Sequence, residues 1–171
     1  MLRTVLSFAL LCAFLPVAGA PAAPSEKYTA AEKAALAGAG AALSVKAVEG
    51  RIKVYDAALA RLAQEVRERF REGDDALAAA LGNVASLLDE SLADIDAVDA
   101  ALDAAGGAGR GALGRSRRFI RYEISLRRTL KEFHGLRAKV PEGSLDAFQR
   151  LLEQMERTRQ RFMDILFQQG R

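Results

Sequence analysis

Apolar residues recur along this chain every three or four positions, and no other feature constrains its fold as tightly. From Val45 the series runs Val48, Ile52, Tyr55, Leu59, Leu62 and Val66. That spacing lines one face of an α-helix, whereas a half-buried strand would alternate. A second series holds Leu77, Leu81, Val84, Leu88, Ser91, Ile95, Val98 and Leu102. A third holds Phe119, Tyr122, Leu126, Thr129, Phe133, Leu136 and Val140, and a fourth Leu145, Phe148, Leu152, Met155, Arg159, Phe162 and Leu166. Helix breakers fall between the series. Gly73 stops the first and Asp74 caps the second, Gly106-Gly107 ends the second, Pro141 closes the third, and Gly143-Ser144 precedes the fourth.

Short links at 71–74 and 140–144 make antiparallel neighbours. The expected fold is therefore all-α, an up-down-up-down antiparallel four-helix bundle. The alternative is a two- or three-helix assembly completed by a second subunit, since long seams also suit oligomers. Thr29-x-x-Glu32 has the spacing of a capping box and starts the first helix near Ala30. Unbroken, that helix would reach ~60 Å against ~40 Å for the third. Gly38 and Gly40 lie in its surplus, so this stretch either overhangs the bundle or breaks there and folds back.

The start of the chain speaks of destination. Arg3, the apolar run Val5 to Leu15, Pro16, and the small residues Ala18 to Ala22 read as a secretory signal peptide over 1–22. The run is too short for a membrane span, which takes ~20 residues. Residues 23–28 are expected to form a short unstructured leader, and 29–171 one helical domain. Leu11 precedes Cys12, where lipidation would want a small residue, so no lipid anchor is expected. Cys12 is the single cysteine. The mature chain would have none, which removes disulfides, thiolate zinc sites and covalent haem. The expected location is exported, periplasmic or secreted, with no integral span after cleavage.

Charge is unevenly placed. The second series carries Asp89, Glu90, Asp94, Asp96, Asp99 and Asp103 towards its end, while Arg110, Arg115, Arg117, Arg118 and Arg121 crowd the start of the third. Each cluster opposes its own helix dipole, at ~0.3–1 kcal/mol per charge near an end. If the two helices are neighbours, pairing between them offsets both penalties. The other reading makes the arginines an anion-binding surface. Phe162, Met163 and Phe167 add apolar residues at the same end of the bundle. They either pack against residues 30–43 or join Arg110, Arg115, Arg117, Arg118 and Arg121 in a partner surface.

No motif names a chemistry. Gly109 to Ser116 resembles a phosphate loop but has Arg115 where lysine is required and no preceding strand, so it reads as a helix connector. His134 is the single histidine and is read as a boundary or core residue. The heptad-spaced Asp89, Asp96 and Asp103 read as a solvated stripe rather than a cation site. No catalytic, cofactor or metal residues are assigned, and no enzyme activity is expected. Nucleic-acid binding is not expected of an exported chain poor in aromatics. Two function classes remain. One is an exported interaction or structural protein whose partner is an envelope protein or itself. The other is a small-molecule-binding or sensory bundle lined by Ser91, Thr129 and Arg159; Arg159→Leu would be neutral or stabilising if the arginine merely interrupts packing.

Overall fold

The capping box at Thr29 forms: its hydroxyl accepts from the Glu32 N–H (3.2 Å) and the Glu32 carboxylate accepts from the Thr29 N–H (2.7 Å). This starts α1 (Ala30–Ala39) in the computed structural model, which describes residues 26–70, 74–107 and 109–167. Gly40 ends α1 at a positive φ of 74°, which a residue with a Cβ adopts only at a cost. Ser44 then caps α2 (Val45–Arg69) by accepting from the Ala47 N–H. The long first helix thus breaks at the glycines, and α1 folds back along α2. Glu32 meets Arg61 (2.9 Å), while Ala39 lies against Gly50.

The remaining elements are α3 (Asp74–Ala104), α4 (Arg110–Gly114), α5 (Arg117–Leu136), two short 3-10 turns, and α6 (Leu145–Phe167). The described residues are all-helical, six helices packed against one another, with no strand. The signal-peptide reading of 1–22 lies outside the described residues. Just before α1, Tyr28 is buried, its ring tilted against Tyr55 at 6.5 Å and its hydroxyl donating to Glu90 (2.5 Å). A phenol can bury its ring and still satisfy its hydroxyl on a carboxylate.

Of the four apolar series, most members form one core. Two sites shift. Leu145 is exposed, and on α6 the buried line passes through Thr158 rather than Arg159.

Helix α2 packs against α3 and α5, and α6 packs against the same two. Thus α3 and α5 stand at opposite corners. This corrects the expectation that the acidic and basic helices are neighbours. The physical reason is the link 105–116. It is not a tight hairpin but carries α4, which packs on α6 and takes the chain across the end of the bundle. Glycines shape this crossing: Gly106 and Gly107 have positive φ, and a Cβ on Gly109 would meet Leu102 at 3.0 Å. As a result α2 and α5 run in parallel, pairing Glu49 with Ser116, Asp56 with Ser125 and Arg67 with Glu132. Likewise α3 and α6 pair Asp89 with Gln154 and Asp96 with Arg161. Across α5 and α6 the order reverses, Tyr122 meeting Phe162 and Phe133 meeting Phe148.

Candidate interaction surface

The diagonal placement decides what happens to the charges. With α5 out of reach, the carboxylates of α3 take partners from other elements. Glu90 holds Lys27, and Asp94 holds Arg51 and the Tyr55 hydroxyl. Asp96 and Asp99 hold Arg161 (2.8 and 2.7 Å). Asp99 and Asp103 hold Arg110. Burial works against the charge on Arg161, but its two aspartates outweigh it and raise its pKa. Burial pushes the Tyr28 and Tyr55 phenols well above their ordinary range, and their carboxylate acceptors push them further. Of the five arginines expected to form one cluster, Arg110 alone joins this acidic side.

The arginines of α5 are left facing outwards. Arg117, Arg118, Arg121, Arg127, Arg128 and Lys131 are all exposed. Three carboxylates answer them. Asp56 meets Arg121 at 3.2 Å, Glu123 meets Arg127 at 3.9 Å, and Glu132 meets Arg128 at 3.1 Å. Two of these acids are shared, Glu123 with Arg159 and Glu132 with Arg67. Among the described residues, Arg117, Arg118 and Lys131 have no carboxylate within ion-pair distance. Positive charge is therefore in excess on this face.

Two isoleucines interrupt it. Ile120 is 42 % exposed and Ile124 47 %, one helical turn apart. Helical spacing places Ile124 among Arg117, Arg121, Arg128 and Lys131, opposite the buried line of Phe119, Tyr122, Leu126 and Phe133. The apolar series did not include these residues. Their signal was present as an i,i+4 isoleucine pair off the seam, inside a run of arginines.

The apolar end of α6 divides. Phe162 is fully buried between Phe119 (5.5 Å) and Tyr122 (5.0 Å), so it belongs to the core and not to a surface. Helix α1 packs mainly along α2, while Ala42, just past its end, is buried in the same core cluster as Phe162. Met163 is half-buried, and Phe167 is 73 % exposed. Leu43, 66 % exposed, lies just before the start of α2. Arg115 is exposed, its guanidinium lying 3.4 Å from the position a Gly111 Cβ would take. The phosphate-loop lookalike is accordingly a connector containing α4. His134 is exposed, not a core residue.

The expected pocket lining does not converge. Arg159 reaches Glu123 (3.0 Å) and Glu156 (3.3 Å). Thr129 borders an open groove of about 220 Å³ between α2 and α5, with Ser125 and Arg67. Ser91 is buried and donates to the Leu88 carbonyl (2.9 Å). Sequence reasoning missed a different feature. The hydroxyls of Tyr122 and Thr158 are buried without a hydrogen-bond partner among the described residues. Burial pushes the Tyr122 phenol above its ordinary range; Ser91, close by, offsets part of that rise.

No family model matches this chain, and the searches of curated proteins and of solved structures give no significant match. Among the described residues no helix is long and apolar enough to cross a membrane.

Proposed function

We propose that this chain is an exported helical-bundle protein that acts by surface contact with an anionic partner, through the outer face of α5. In this reading α2, α3, α5 and α6 form an up-down-up-down bundle, α1 is an appended strap, and residues 1–22 direct export to the periplasm or beyond. The single observation that carries it is the excess of cations on α5 once the α3 carboxylates are paired elsewhere.

Folding gives no reason for this face. Arg117, Arg118 and Arg121 oppose the dipole at the start of α5, and no acid occupies its first turn. Two half-exposed isoleucines add apolar surface to water. Departures of this kind from local preference are expected where a surface has work to do. No catalytic group is assigned.

The test is retention of the purified protein, and of the same protein carrying Arg117→Glu and Arg128→Glu, on an anionic matrix and on the native envelope fraction. Loss of salt-sensitive retention in the variant, with helicity unchanged, supports the reading. Equal retention of both proteins refutes it. The second reading, a small-molecule-binding bundle, draws on the two unpartnered hydroxyls of the core.

A further inference from the structure

We propose that the partner of the α5 face is the surface of an anionic phospholipid bilayer. The proposal deepens the preceding reading and rests on it. Four features converge. Helix α5 has 20 residues, a ridge ~30 Å long at 1.5 Å per residue. A convex ridge suits a flat, deformable surface better than a preformed pocket does. Its cations are the arginine-rich set that pairs with phosphate head groups, and of the three without a carboxylate partner, Arg117 and Lys131 lie towards the outermost line and Arg118 on the flank. Ile120 and Ile124 lie on the same side, Ile120 one turn from Arg117 and Ile124 one turn from Arg121 and Arg128.

That combination is what an interfacial helix presents to lipid. Aliphatic side chains enter below the head groups while long basic side chains extend their charges back to the phosphate level. Here the helix is held by its other face in the bundle, so contact is peripheral. Two isoleucines are too little apolar surface to bind neutral lipid, and charge alone would not seat the helix. Both are needed. An acidic protein would satisfy the cations but gives no reason for isoleucines at half exposure among them.

The sequence contains no tryptophan, so Ile124→Trp in the full chain puts one indole reporter on the face itself. Because only this position is read, any membrane affinity of the apolar start of the chain does not register. With vesicles of phosphatidylglycerol and phosphatidylcholine, indole emission should shift to the blue and be quenched by brominated acyl chains. Vesicles of phosphatidylcholine alone should leave it unshifted. Adding Arg117→Gln and Lys131→Gln should weaken the anionic-vesicle response about fivefold per cation, on the order of 25-fold together. In a separate sedimentation assay, the change in affinity caused by Ile120→Ser and Ile124→Ser should be about fivefold per side chain.

An unshifted emission with anionic vesicles overturns the proposal, even if the protein sediments with them. So does an equal shift with phosphatidylcholine alone. If emission is unshifted but dextran sulfate retains the protein in a manner dependent on Arg117 and Lys131, the lipid assignment falls and the anionic-partner reading survives. If neither occurs, both fall.

Discussion

Replacing Tyr122 with phenylalanine should stabilise this protein, although it deletes a polar group from a well-packed core. The side chain is fully buried, and its ring meets Phe162 at 5.0 Å, edge to face. Phenylalanine keeps that ring and its contacts. Only the hydroxyl is lost, and it has no hydrogen-bond partner among the described residues. Taking an unsatisfied hydroxyl out of water costs about 1–3 kcal/mol, so Tyr122→Phe should recover about 1 kcal/mol after slight loosening around the missing oxygen. For a domain of roughly 145 residues that is a rise in Tm of about 2–5 °C. Thr158→Val tests the same reasoning on the facing helix, because the swap keeps shape and removes the second unpartnered hydroxyl. The assay is urea unfolding followed by circular dichroism, with equal m-values required so that midpoints report stability. A loss of 1 kcal/mol or more in Tyr122→Phe would refute the argument. It would mean that the hydroxyl is hydrogen-bonded after all, to the nearby Ser91 hydroxyl, through an internal water, or to a bound small molecule. The double variant then discriminates, since two hydroxyls serving one shared group give strongly non-additive effects. That outcome would strengthen the ligand-binding reading of the bundle.

Other consequences can be checked by similar means. Arg159→Leu, neutral or stabilising if the arginine merely interrupted packing, should instead destabilise by roughly 1–3 kcal/mol, because it strips the closer ion-pair partner from the buried Glu123; adding Glu123→Leu should restore most of the loss in urea unfolding. Phe162→Ala should cost about 3–5 kcal/mol and Phe167→Ala within about 0.5 kcal/mol, and equal effects on the unfolding midpoints would contradict the placement of these residues. For Glu32, burial favours the neutral acid, but Arg61 and the Thr29 N–H outweigh it and hold the carboxyl below 4.5. Its folded pKa being depressed, its contribution is complete above that value and is lost as pH falls through the lowered one. Protection of the α1 amides, taken as exchange relative to the intrinsic rate at each pH, should therefore fall in that acid window, and Glu32→Gln should remove this pH dependence of protection while lowering protection at neutral pH.

Much of this molecule is legible one helix at a time. The 3.6-residue period marks Ile52, Leu59, Leu88 and Phe133 as buried, the capping box places the start of α1, and Gly106-Gly107 places the end of α3, whereas the break of the first helix at Gly40 is one of two outcomes that the glycines allow. These are local facts, set by backbone sterics and by which side of a helix is apolar. The exposed arginines of α5 are legible in the same way, since they lie off the seam. What periodicity does not encode is which stripe packs beside which. An apolar stripe accepts any other of similar shape, so side-by-side and diagonal arrangements of α3 and α5 share one hydrophobic pattern. Only the packed chain, with the 105–116 link carried over α6, chose the diagonal. That choice gave the aspartates of α3 to Arg51, Arg110 and Arg161, left Arg117 and Lys131 facing solvent, and sealed the Tyr122 hydroxyl inside. Partnership between charges depends on distances of a few ångströms across separate elements, which local propensity does not encode.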